Sequence, residues 1–290
     1  MDKIKIKANA KINLCLYITG LKDDGYHEID SIFQSIHLFD FITLSKHEGI
    51  RISCDDEVIP LDYRNICYKS ADAFIKKTKI KGVKIDIKKN IPVSAGLGGG
   101  SADAAAVIFG LNLLYGCELG QEDLIKIAML IGADVPFFLK GGCQRASGIG
   151  EILVEKHNPF DHDIIIIKPE SDNSTPEAYK LYDEINNVIV KTNLMDIAFR
   201  NNDEEEYFKS MENDLENSAF ILSPDSKTAV ETLKENGAKT AMVSGSGSAV
   251  FGVFDKGKTD KALKQIKSKG FEKVFLTTKA QKGLEIISTD

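Results

Sequence analysis

The stretch that most restricts what this chain can become is "SAGLGGGSADAAAV", from Ser94 to Val107, where four glycines run into an alanine-rich segment. Glycine loses more backbone freedom on folding than any other residue, so Gly98, Gly99 and Gly100 in succession cost stability unless that backbone has to stay bare. Behind them Ser101 reads as an N-cap. The following "ADAAAVIFGLNLLYG" places Ala105, Ile108, Phe109, Leu111, Leu113 and Leu114 largely on one helical face. A bare loop ending in a helix N-terminus offers unpaired N–H groups and the positive end of the helix dipole. The expected guest is an anion, phosphate above all. An ordinary turn needs only one or two glycines and explains less of the stretch.

Such an anion site has to be local, because the 290 residues carry a net charge of -6. That charge argues against nucleic acid and against anionic membranes as partners, both of which demand a dense basic surface. Hydrophobic content of 43% and charged content of 28% are those of a globular chain long enough for two domains. The N-terminal "MDKIKIKANAKINLCLYITG" alternates apolar residues with lysines, which predicts a strand rather than a targeting leader. No apolar run approaches the roughly 18 residues of a membrane span, so the expected location is the cytoplasm. The five cysteines form no C-x-x-C pair and are expected to be reduced; the five histidines show no metal spacing.

Along the chain, the first half mixes alternating stretches ("IKIKANAKINLCLYI", "FDFITLS") with amphipathic ones ("NICYKSADAFIKKT"), which predicts α+β or α/β. "VKIDIKKNIPVSAG" reads as a strand delivering the chain to the glycine loop. "QEDLIKIAMLIG" reads as a helix ending at Gly132, with Pro136 preventing its continuation. Beyond a boundary near residue 155, "DIIIIKP" predicts a strand, residues 175 to 236 mostly helices, "AKTAMVSGSGSAVFGVF" two strands, "KTDKALKQIKSKG" a helix and "EKVFLTT" a last strand. Apart from the extra helices this is β-α-β-β-α-β, the ferredoxin-like arrangement. The expected division is therefore 1–155 and 156–290. "GVFDKGKT", Gly252 to Thr259, satisfies the Walker A pattern, but Val250, Phe251, Val253 and Phe254 continue a strand straight through Gly252, so an accidental match is expected, with Thr259 capping the next helix.

"PVSAGLGGGSADAA" resembles the phosphate loop of the GHMP kinases, the family of galactokinase, homoserine kinase and mevalonate kinase, which has no P-loop lysine. "AKINLCLYITGLKDDGYHEIDSIF", "GADVPFFLKGG" and "SGSGSAVFG" extend the resemblance over almost the whole chain. They point to the branch of that family whose acceptor is 4-diphosphocytidyl-2-C-methyl-D-erythritol (CDP-methylerythritol), in the non-mevalonate isoprenoid pathway. The resemblance implies an α+β fold, with an N-terminal domain like ribosomal protein S5 domain 2 and a ferredoxin-like C-terminal domain. It also implies ATP and Mg2+ as cofactors.

The resemblance further implies that Asp134 is the catalytic base for the acceptor hydroxyl, with Lys11 beside it. Tyr26 would stack on the cytosine, and His27 would give a donor or an acceptor to the pyrimidine edge. Tyr179, after Thr175 and Pro176, would close the sandwich where the family often has phenylalanine. Asn13 would contact the substrate, and an asparagine inside an apolar strand independently calls for a partner. For ATP, Pro92, Val93, Ser94, Ala95, Gly96, Leu97, Gly98, Gly99, Gly100, Ser101, Ala102 and Asp103 would cradle the phosphates. Asn65 and Lys89 match positions near the adenine, although Lys89 reads equally as one charge of the solvated run "KIDIKK". Gly245, Ser246 and Gly247 would approach the substrate from the second domain, unless they only form a flexible hairpin. The metal ligands and the oligomeric state cannot be read. The rivals are another acceptor within the family, which would leave Tyr26, His27 and Tyr179 nothing to stack on, and a non-catalytic nucleotide-binding protein.

Overall fold

The computed structural model describes residues 1–185 and 193–290. Its backbone is a long antiparallel ribbon of β1 (Lys3–Leu21) and β2 (His27–Lys46). Alternating Ile, Leu and Phe favour these strands, since β-branched and aromatic side chains pack well on a pleated surface. β2 is paired further by β4 (Gly82–Lys88) over its C-terminal half and by β5 (Cys143–Ser147) over its N-terminal half. β3 (Gly49–Cys54) lies parallel to β4, and β6 (Ile152–Lys156) flanks β5. Four helices pack with this sheet: α1 (Ile66–Thr78), α2 (Gly99–Leu114), α3 (Gln121–Met129) and α4 (Val135–Lys140).

The second unit has four antiparallel strands, β7 (Asp163–Lys168), β8 (Thr240–Val243), β9 (Val250–Phe254) and β10 (Lys273–Thr278), in the order β10-β7-β9-β8. That is the ferredoxin-like order expected from the sequence. Its helices are α5 (Thr175–Ile185), α6 (Met195–Asn201), α7 (Glu204–Lys209), α8 (Glu216–Leu222), α9 (Pro224–Glu235) and α10 (Asp260–Ser268). Residues 186–192 of the expected helical stretch lie outside the described residues. The last strand expected from the sequence is "EKVFLTT", but β11 (Leu284–Thr289) follows it and returns to the first sheet, antiparallel to β1. An apolar cluster of Ile12, Leu14 and Ile36 with Ile164, Ile166 and Phe251 holds the two units together. Arg145 on β5 forks onto Asp30 on β2, at 2.8 and 2.6 Å, and reaches Asp196 on α6 at 3.1 Å.

One irregularity positions the site. Between Asn9 and Ala10 the β1–β2 register shifts. Before it, Ile4, Ile6 and Ala8 face the helical layer. After it, Ala10, Ile12 and Leu14 belong to the cluster between the units, while Lys11 reaches the Phe33 ring at 4.7 Å on the helical side. Bulges re-aim side chains in this way, because strand side chains alternate with period 2.

Three local expectations are corrected. Ser101 is not the N-cap of α2: the helix begins at Gly99, its N-cap is Gly98 with φ 71°, and no side chain caps it. Nor is α2 one-sided; Ala102, Ala104, Ala105 and Ala106 are fully buried together with Ile108 and Leu111, because helices and strands surround it and small residues let them approach. Pro136 starts α4 at its first turn, where a missing N–H costs nothing. At the Walker-like match, β9 does run through Gly252, and Thr259 occupies the N-cap of α10 without a side-chain bond. All five cysteines are free. Burial pushes the thiols of Cys15, Cys67 and Cys143 up, which leaves them inert.

Candidate active site

A cleft of about 910 Å³ runs between the two units. The glycine loop forms one wall. Ser94, Gly96 and Gly98 have φ of 52°, 73° and 71°, alternate left-handed positions that turn successive N–H groups into a concave nest leading to α2. Most of the glycines answer to the protein itself. A Cβ on Gly96 would lie 2.0 Å from the Ser244 carbonyl oxygen, on Gly98 2.5 Å from the Phe138 ring, and on Gly99 2.9 Å from Ile91. Gly100 differs, its nearest neighbour being Ile66 at 3.6 Å.

What presses on Gly96 is the second loop, between β8 and β9. Ser244 Oγ donates to the Gly96 carbonyl at 3.1 Å, and the Ala249 N–H to the Ala95 carbonyl at 3.1 Å. Behind it, Thr175 and Ser246 share a 2.8 Å hydroxyl contact, and Asn173 donates to the Ser246 carbonyl. Ser244, Ser246 and Ser248 are buried, so this is a packed joint and not a flexible hairpin.

Across the loop, Lys11 is 5% exposed. Its Nζ donates to Asn13 Oδ1 at 2.7 Å and lies 3.7 Å from Asp134 Oδ2, at the start of α4. Burial pushes the Lys11 ammonium down, and Asp134 pulls it partly back. Asn13, the polar residue in an apolar strand, has the partners it needs: it also donates to Ser31 Oγ at 3.0 Å. Beneath the loop, Lys89 is paired with Asp40 and, at 2.8 Å, with Asp103. The solvated reading of Lys89 is therefore wrong; its side chain is 7% exposed, and despite its burial the two carboxylates raise its pKa. Asp40 also accepts from the N–H groups of Asn90 and Ile91, whereas Asp103 Oδ1 has no partner. Burial raises Asp103 to about 8. Asn65 caps α1, accepting from the Cys67 N–H and donating to the Pro60 carbonyl.

At the far end, Tyr26 is 60% exposed, while His27 at the start of β2 lies 2.7 Å from Asp183 and stacks on Tyr179 with centroids 4.7 Å apart.

Residues 65–142 match the GHMP kinases N terminal domain and residues 197–272 the GHMP kinases C terminal domain. The 4-diphosphocytidyl-2-C-methyl-D-erythritol kinase of Clostridium novyi is 38% identical over 93% of this chain and 98% of its own. The protein of the same name from Clostridioides difficile is 39% identical over 99% and 98%. The chain belongs to the GHMP kinases. A crystal structure titled 4-(cytidine 5'-diphospho)-2C-methyl-D-erythritol kinase superposes with a TM-score of 0.79 at 30% identity, covering 96% of this chain and 99% of that one.

In this GHMP kinase the cleft is lined by Lys11, Asn13, Tyr26, His27, Asn65, Lys89, every residue from Pro92 to Ser101, Asp103, Asp134, Thr175, Pro176, Tyr179, Gly245 and Ser246. Two residues named from the sequence do not reach it. Ala102 is fully buried in the helical core, and Gly247 abuts Asn173, whose Nδ2 a Cβ there would meet at 2.8 Å. The sequence reading missed Asp40 and Asp183. Asp40 carried a signal, a carboxylate inside the apolar run "LFDFITL". Asp183 carried another, four residues after Tyr179 and thus on its helical face. Among the described residues no group of three or more His, Cys, Asp or Glu is placed to hold a metal ion. No described helix is long and apolar enough to cross a membrane.

Proposed function

We propose that this kinase transfers the γ-phosphoryl group of ATP to the 2-hydroxyl of 4-diphosphocytidyl-2-C-methyl-D-erythritol, with Asp134 as the base. The observation that carries this reading is the single cleft joining the glycine nest, the Lys11–Asp134 pair and the His27–Tyr179 rings. The nest and the N-terminus of α2 orient phosphates through N–H groups, with the Ser101 hydroxyl alongside. ATP supplies the transferred group and its leaving oxygen. Asp134 accepts the hydroxyl proton as the transfer proceeds; in a loose transition state that proton leaves late, so a weak base suffices if it is well placed. Lys11 steadies the Asp134 carboxylate and offsets negative charge at the transferred group. A magnesium ion would take its shell from phosphate and water, as this ion commonly does, since the chain offers no carboxylate cage among its described residues. The ring pair at the far end is what a base-bearing acceptor needs and a small one such as homoserine does not.

The test is incubation with ATP, magnesium and, separately, the cytidine acceptor, homoserine and mevalonate, with products identified by mass spectrometry. Product from the cytidine acceptor alone is expected. Product from another acceptor would remove the base subsite, and product from none would favour a binding protein.

A further inference from the structure

The His27–Asp183 contact has no part in the transfer step. His27 Nε2 lies 2.7 Å from Asp183 Oδ1, and the imidazole stacks on Tyr179 at an interplanar angle of 25°. Tyr179 and Asp183 are four residues apart on α5, so one helical face presents both a ring and a carboxylate to the same imidazole. Tyr182 meets that imidazole edge-on, with centroids 6.4 Å apart. With its side chain 7% exposed, His27 is fixed in both position and rotation.

An ionised carboxylate only accepts hydrogen bonds, so the neutral imidazole facing Asp183 carries its proton on Nε2. The other nitrogen then holds a bare lone pair, because a neutral imidazole has one donor and one acceptor. The side-chain hydrogen bond of this imidazole runs through Nε2, and His27 lines the cleft. We propose that Asp183, acting through the tautomer of His27, makes the base subsite select cytosine over uracil. The proposal rests on the reading of the cleft as a site for a cytidine-linked acceptor. Nδ1 accepts from the exocyclic 4-amino group of cytosine. Uracil puts a carbonyl oxygen at that place, so two lone pairs would face each other. The N–H that uracil does offer sits one ring position away, and meeting Nδ1 with it requires the base to shift in its slot. Asp183 is a positioning residue and does not touch the base.

The experiment compares kcat/KM for the cytidine acceptor and its uridine analogue in the wild type and in Asp183→Ala, Asp183→Asn and Asp183→Glu. Histidine-labelled protein read by two-bond ¹⁵N–¹H spectra reports which ring nitrogen of His27 is protonated. The wild type should show a bare Nδ1 and a strong preference for cytidine. Removing the carboxylate should shrink that preference about tenfold or more, through KM for the cytidine acceptor, since a site built around one hydrogen bond discriminates by leaving it unmade. Asp183→Glu should restore most of the preference. A protonated Nδ1 in the wild type would overturn the proposal, as would an unchanged preference in an Asp183→Ala protein that melts like the wild type. If the wild type phosphorylates neither acceptor, it is the functional reading that fails, and the spectra still decide the tautomer.

Discussion

Asp134 and the glycines around it can be separated by what their removal costs. Replacing Asp134 with Ala should lower kcat by about 10²–10⁴, the range for a positioned base, with a smaller change in KM, as measured by steady-state kinetics. Gly96→Ala should cost at least about 2 kcal/mol in urea denaturation, since its φ is left-handed and Ser244 blocks a Cβ. Gly100→Ala should do the reverse for stability: the site is in the first turn of α2 with room for a methyl, so a gain of about 0.5–1 kcal/mol is expected. If the loop holds phosphate, the same variant loses kcat/KM for ATP while melting higher. The run of glycines was legible as a backbone that must stay bare, but for most of them an approaching anion is not the cause. Gly96, Gly98 and Gly99 are required by Ser244, Phe138 and Ile91, and the first two of these lie far off in sequence. No local pattern announces such partners.

Elements were legible where periodicity is local and obscure where packing decides. The alternation of β1 and β2 could be read directly, but the register shift at Asn9 could not, and it determines that Lys11 and Asn13 face the site instead of the cluster below. The apolar pattern of α2 predicted a single buried face, but tertiary neighbours surround the helix and bury Ala102, Ala104 and Ala106 as well as Ala105. Within α2, Asp103 makes stability depend on pH. The unfolded chain releases this proton near 3.8, whereas the folded chain holds it until about 8. Between those values the folded state binds more protons, so the contribution is complete below the lower one and is lost as pH rises through the upper. Urea midpoints should therefore fall from about pH 5 to about pH 8, with a shallower slope in Asp103→Asn.

At the scale of the molecule, the two units were legible and their interleaving was not. Strand order in the second unit follows from the βαββαβ pattern, but "LEIIST" gives no sign that it pairs with the opposite end of the chain. Deleting the chain after Gly283 should lower the urea midpoint of the whole protein, because it strips β1 of a neighbour and removes the Lys7–Glu285 ion pair at 3.0 Å. That ion pair joins residues 278 positions apart. During synthesis, then, the order of completion is inverted. The second unit has all of its own strands as soon as β10 emerges, while the open flank of β1 waits for residues still inside the ribosome. The half of the protein made first is the half that finishes last, and until then its exposed edge is the place where a chaperone would find something to hold.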